Sequence, residues 1–226
     1  MDSQKMKSLA IQMGGREMKF ILFVEGHTEN KAIPLFLKRW LDPKLSKRVG
    51  IKSVRFEGWP ELVKDSPTKA NLYLLQDNVI AVIALLDLYG PTIYPDNENT
   101  AKKRYQWAKR HLEGNVNQAN FFQFFAVHEV EAWLLSDPAI FPNSIKPSVQ
   151  KISKSPEDIN NTTPPAKQLN DIYRKKTNKR YKKVVYGKDL FTKLDPSVAY
   201  KKCPRLKELL DAMLKLAKDA TKEGEE

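Results

Sequence analysis

Cysteine is all but absent from the 226-residue chain, where Cys203 stands alone. One thiol cannot close an internal disulfide, and without a CxxC pair neither a redox motif nor a zinc knuckle has a basis. Histidine is nearly as scarce: His27, His111 and His128 are too few and too scattered to make a zinc site. Long apolar runs are missing too. The longest, around residues 79–86, falls well short of a bilayer span, and the N-terminal residues lack the apolar stretch of a secretory signal. The expectation is a cytoplasmic protein with no membrane partner. Acidic residues are the remaining deficit, 27 Asp and Glu against 39 Lys and Arg, for a net charge of +12.

An excess of that size suits a polyanion, usually nucleic acid, because clustered cations gain from phosphate neutralisation and counter-ion release. It also serves solubility, and the distribution of the charge separates the two uses. Residues 1–143 carry 19 basic and 16 acidic residues, whereas residues 144–207 carry 17 basic and 5 acidic, a net +12. Residues 208–226 carry 3 basic and 6 acidic. The surplus sits in one stretch, which favours a localised binding surface over a diffuse solvated one.

What is present is a core. Hydrophobic residues make up 41% and charged residues 29%, and the mean hydropathy is −0.54, as in a globular chain rather than a disordered one. Residues 18–24 (MKFILFV), 51–56, 79–86 (VIAVIALL) and 120–127 (NFFQFFAV) read as strands. Between them lie helical patterns. Ala32, Ile33, Phe36, Leu37, Trp40 and Leu41 recur at helical spacing behind Thr28, a candidate cap. Gly58-Trp59-Pro60 opens a second helix running to about Gln76, and residues 99–112 form a basic third, closed by Gly114. The alternation predicts an α/β domain over residues 18–140, with a mostly parallel sheet and helices on both faces. Prolines punctuate residues 141–166. The basic run 173–183 and a helix over 204–218 complete an extension, 141–218, packed on the sheet domain. Residues 1–17 and 219–226 read as flexible tails.

Three predicted strands finish on carboxylates: Glu25, Asp87 and Glu129. Parallel sheets place their ligand sites at the carboxyl ends of the strands, so the three acids are expected on one edge. Hard divalent cations such as Mg²⁺ take oxygen ligands and keep several waters, so a few convergent carboxylates suffice. Acids after strands are also ordinary first-turn residues of the next helix, favoured by its dipole. Glu131 follows two residues after Glu129. The pair shares a face if the strand continues and diverges by roughly 200° if a helix starts at Glu129. Glu131 is read as a second ligand or a supporting acid, and His128 as an orienting group. Gly26 lets backbone approach a phosphate, His27 lies in the same loop, and Thr28 with the helix start offers donors. Arg174, Lys175, Lys176, Arg180, Lys182 and Lys183 are expected to hold nucleic acid. Tyr173, Tyr181 and Tyr186 either stack on bases or face the core. Lys102, Lys103, Arg104, Lys109 and Arg110 form either a second patch or a solvated helix face.

Val24-Glu25-Gly26-His27-Thr28-Glu29 resembles the VEGxTE signature that opens Toprim domains, the metal-dependent fold of topoisomerases, primases and overcoming-lysogenization-defect nucleases. Leu86-Asp87-Leu88-Tyr89-Gly90 and His128-Glu129-Val130-Glu131-Ala132-Trp133-Leu134-Leu135 resemble the DxYG and HExEAxLF blocks of the Toprim-like domain-of-unknown-function 4276 family. Lys202-Cys203-Pro204 is similar to that family's C-terminal part. The resemblance implies a Toprim-like fold and a Mg²⁺ site, with Mn²⁺ able to substitute, using Glu25 and the first acid of a DxD, Asp87. Tyr89 stands where the second acid of that motif falls, and Glu129 and Glu131 are the acids available to compensate. It also implies a nuclease acting on DNA or RNA, with Glu25 and Asp87 catalytic, as an effector in bacterial antiphage defence beside an ABC-type ATPase partner. A non-catalytic nucleic-acid-binding or regulatory subunit is the alternative, and a phosphatase or phosphotransferase a third. A homodimer is left open.

Overall fold

The computed structural model describes residues 17–158 and 163–222, the side chain of Lys222 aside. Apart from residue 17, the arm expected at the N-terminus lies outside them, as do residues 223–226.

Strand β3 (Val79–Asp87) has every residue before its last one buried, and β1 (Lys19–Val24) is buried after its first. Continuously apolar strands of this kind need cover on both faces, so they occupy the middle of a parallel sheet. The edges go to β2 (Gly50–Arg55), only partly buried, and β4 (Phe121–Ala126). The order is β2-β1-β3-β4, and all three pairings are parallel. The expected α/β sheet is therefore observed, with strand ends within a residue of those expected.

Helices α2 (Trp59–Leu74) and α3 (Ala101–Val116) cover one face, where Phe23, Phe56, Leu62, Ala70, Val82, Tyr105, Leu112 and Phe125 form a core. Helix α3 runs through Gly114 instead of closing there. Thr100 Oγ1 caps its start by accepting from Lys103 N at 3.2 Å, and Asn117 ends it at φ 49°. Helix α1 (His27–Leu41) lies on the other face with the predicted apolar stripe buried. Its cap position is Gly26, not Thr28. Thr28 sits inside the first turn, 4% exposed.

The remaining elements join α1 on that face: α4 (Glu131–Leu135), α5 (Lys146–Gln150), α6 (Pro165–Thr177), α7 (Lys188–Lys193), α8 (Pro196–Lys202) and α9 (Pro204–Lys222). Helix α9 extends four residues beyond the expected end. Leu169, Tyr173, Tyr181, Phe191, Cys203, Leu206 and Leu210 belong to the same buried core as Phe20, Leu22 and Phe36. The basic stretch thus turns its apolar residues onto the sheet and its cations outward, with the exception of Lys183. Cys203 is buried and free. Among the described residues no helix is long and apolar enough to cross a membrane.

Glu157, 8% exposed, secures the start of α9 by accepting from Arg205 N at 2.8 Å and Leu206 N at 3.3 Å. Burial outweighs those amide bonds and raises its carboxyl to about 7. The folded chain therefore keeps this proton more tightly than the unfolded chain does. The associated stability is fully present below about pH 4.5 and is lost as pH rises through 7. Thermal melts from pH 5 to pH 8 are expected to show a loss on the order of 3 kcal/mol from this residue. Glu157→Gln, whose amide oxygen still accepts, removes that part of the slope.

Candidate functional site

After β1 the chain moves outward to β2, then returns to place β3 on the opposite side of β1. This reversal is the topological switch point, where open parallel sheets form a crevice beyond the strand ends. Glu25 follows β1 and Asp87 ends β3, so both acids lie at its mouth. The Asp87 amide donates to Glu25 Oε1 at 3.1 Å, and the Trp59 amide, at the start of α2, also bonds the Glu25 carboxylate. Gly58, at φ 93°, makes the turn that aims that helix start inward. Asp87 Oδ1 accepts from Val130 N at 3.0 Å.

Two further acids enter. Glu131 opens α4 with its side chain 1% exposed, and Glu29, in the first turn of α1, is 5% exposed. The Lys183 ammonium lies among them, 2.7 Å from Glu29 Oε1, 3.3 Å from Glu131 Oε2 and 3.5 Å from Asp87 Oδ2. Tyr181 is buried beside them, its hydroxyl 3.5 Å from Glu131 Oε1. Burial raises the carboxyls of Glu25, Asp87 and Glu131 above their ordinary range, Asp87 well above it. For Lys183 burial works the other way, yet Asp87, Glu131 and Glu29 together outweigh it and hold the amine firmly protonated.

Glu129 does not join this group. Its Oε2 accepts from Ala166 N at 2.7 Å, at the start of α6, so the two acids of the HExE block diverge. His128 is buried, and its carbonyl accepts from Tyr89 N at 2.8 Å. The Tyr89 side chain is 47% exposed and lines an open cavity of about 450 Å³ with Gly90, Pro91, Thr92, Tyr94 and Arg104. Arg104 is the member of the second basic patch that reaches this loop. His27 is exposed at the first position of α1, whereas Thr28 is buried.

Gly26 meets a different need from the one its place in the loop suggests. A Cβ there would stand 2.2 Å from Glu29 Oε2, because the Glu29 carboxylate folds back over the glycine. Its φ of −130° is ordinary, so Gly26→Ala does not strain the backbone. It displaces Glu29 from Lys183 instead. A thermal melt should show a change of about 1 kcal/mol, while any activity that depends on the cluster falls about tenfold.

Arg174, Lys175 and Arg180 line an open cavity of about 580 Å³ with Asp171 and Asn178. Lys176 and Lys182 are exposed near them in the chain, while Lys183 points the other way. Tyr173 and Tyr181 are buried and Tyr186 half-buried, with ring centres 5.4 to 6.3 Å apart. Their contacts are with one another, which is the core-facing alternative.

The family described as "Domain of unknown function (DUF4276)" matches residues 24–214. The chain belongs to that family. The match takes in Glu25, Glu29, Asp87, Glu131 and Lys183. No curated protein matches the chain. Among solved structures, the C-terminal region of the Burkholderia pseudomallei OLD protein is similar at 15% identity and a TM-score of 0.45, covering 88% of this chain and 100% of that one.

Two members of the cluster escape sequence reasoning. Glu29 lies inside the VEGHTE motif, four residues past Glu25, and that spacing was a usable signal. Lys183 carries none, since it reads as one more cation of the basic run. For a divalent ion the donor chemistry fits, because several carboxylates converge on one point. Their disposition fits only in part. Among the described residues no group of three or more His, Cys, Asp or Glu side chains is arranged to hold a metal ion as it stands. The lysine ammonium has the central position.

Proposed function

We propose that this protein is a Mg²⁺-dependent nuclease, hydrolysing phosphodiester bonds in DNA or RNA, with Mn²⁺ able to replace Mg²⁺. The observation that carries the reading is the convergence of Glu25, Glu29, Asp87 and Glu131 at the switch point of a parallel sheet. Glu25, Asp87 and Glu131, with Glu29 beside them, would hold the ion, and Glu129 joins only by releasing Ala166 N. An ion bound there supplies Lewis acidity toward a phosphodiester. Glu25, its carboxyl raised by burial, is suited to accept a proton from the attacking water. Arg174, Lys175, Lys176, Arg180 and Lys182 would grip the nucleic-acid backbone, and His27 at the start of α1 would meet a phosphate. By its resemblance to effectors encoded beside ABC-type ATPases, the protein would act in the cytoplasm with such a partner, in antiphage defence.

The test is cleavage of single- and double-stranded DNA and RNA with Mg²⁺, with Mn²⁺ and with a chelator. Cleavage should require the metal and fall by at least about a hundredfold in Glu25→Ala. Equal cleavage by that variant would sink the site.

A second reading, a nucleic-acid-binding or regulatory subunit without turnover, is favoured by the Lys183 ion pairs and by Tyr89 at the second-acid position. It predicts salt-sensitive binding and no cleavage with any metal. On either reading, replacing Arg174, Lys175 and Arg180 together with alanine should lower the slope of log K against log salt by about 2 to 3.

A further inference from the structure

We propose that Lys183 is a positioning residue: its ammonium is the resident counter-ion of the acid cluster, holding Glu29, Asp87 and Glu131 together and giving up its position when a divalent cation binds. This rests on the nuclease reading above and deepens it by assigning control of the site's metal access to one side chain.

The three acids come from three separate elements, α1, the end of β3 and α4, with side chains 5%, 13% and 1% exposed. Like charges brought so close out of water repel strongly and lose hydration, and a cation among them offsets that cost. Lys183 supplies that cation as a compact charge on a flexible stem. It does so incompletely. One positive charge faces three carboxylates, with Glu25 beside them raising the Asp87 carboxyl further.

The distances describe an ammonium site. The oxygens stand 2.7 to 3.5 Å from Nζ, whereas Mg²⁺ requires about 2.0–2.1 Å. An ion drawn in to those distances would lie within a few ångströms of Nζ, and two cations so close repel. Binding is therefore an exchange. The segment that carries Lys183 is suited to give way. Residues Lys183–Gly187 form one turn of π-helix, a geometry common where a chain is irregular for function. Val184 and Val185 on that turn are 66% and 60% exposed, so they bury little to hold it down. At its far end Gly187 packs closely, a Cβ there lying 3.2 Å from both Thr28 Cγ2 and the Tyr181 hydroxyl. The backbone of the turn is thus held by packing at Gly187 and by bonds from the Val185 and Tyr186 amides to the Lys182 carbonyl, whereas the Lys183 ammonium itself is held in the cluster by its ion pairs.

The experiment uses the full chain and Mn²⁺ alone as probe, with no nucleic acid. Calorimetry or electron paramagnetic resonance gives the Mn²⁺ affinity of wild type, Lys183→Gln and Lys183→Arg. The glutamine variant should bind at least about tenfold more tightly than wild type, with the arginine variant close to wild type. Without metal the glutamine variant should melt below wild type, and Mn²⁺ should raise its melting temperature more. A second readout needs no variant to fold: acylation of the Lys183 amine, followed by mass spectrometry, should rise severalfold when Mn²⁺ is added to wild type. Mn²⁺ affinity that is equal in all three proteins, or Lys183 labelling that Mn²⁺ does not change, overturns the proposal. If wild type still cleaves nucleic acid with metal in that case, the nuclease reading stands alone. If neither wild type nor Lys183→Gln binds Mn²⁺ and neither cleaves, both fall.

Discussion

Asp87→Asn is expected to leave a folded protein whose metal-dependent cleavage has dropped on the order of a thousandfold, about 4 kcal/mol of barrier. The two halves of that result have separate causes. Asp87 Oδ1 accepts from Val130 N at 3.0 Å, and an amide oxygen of the same shape can accept that bond. The other oxygen faces Lys183 at 3.5 Å, with Glu25, Glu29 and Glu131 nearby. Burial already pushes the Asp87 carboxyl well above its ordinary range, so a neutral group there relieves desolvation and like-charge repulsion. Stability should therefore change little, with the melting temperature within a few degrees of wild type. Activity should not survive, since the donor most central to the cluster has lost its charge. Cleavage at the wild-type rate in a variant that melts like wild type would remove Asp87 from the site.

Trp133→Ala should have the largest effect on the fold. Trp133 is 1% exposed, stacks on Phe36 at 5.9 Å and meets the edge of Phe191 at 6.4 Å. Phe36 and Phe191 close the triangle at 5.8 Å. Truncating a buried tryptophan costs about 3–5 kcal/mol, which for a chain of this length lowers the melting temperature by about 10 °C. Its consequence reaches the site. The three rings sit on α4, α1 and α7, which carry Glu131, carry Glu29 and follow the Lys183 turn. Loosening the triangle should weaken Mn²⁺ binding along with stability. Trp133→Phe should cost much less, because it keeps a ring and removes an indole N–H that has no hydrogen-bond acceptor among the described residues. Thermal and denaturant melts of both variants measure the difference.

Much of this architecture can be read along the chain. The apolar run of β3 and the stripe Ala32, Ile33, Phe36, Leu37, Trp40 of α1 are local patterns, and local patterns determine strands and helices. Ends are less legible. Helix α1 begins at His27 rather than behind Thr28, and α3 passes through Gly114, because neighbouring packing rather than the single residue decides where a helix stops. The site divides in the same way. Glu25 and Asp87 follow strand ends and are visible as such. Glu129 and Glu131 are two residues apart, and nothing local says that one turns to Ala166 and the other to Lys183.

The scarcity of cysteine and of long apolar runs, and the confinement of the positive surplus to residues 144–207, belong to the sequence alone. So do the strand–helix alternation and the acids that end β1 and β3, since each depends on neighbours in the chain. The tertiary structure alone decided that a cation of the basic stretch turns inward. Lys183 lies 96 residues from Asp87, and they meet because the rings of α1, α4 and α7 pack together and three buried carboxylates attract the nearest ammonium. Charge and periodicity are written along the chain; which charges are buried together is fixed only by packing.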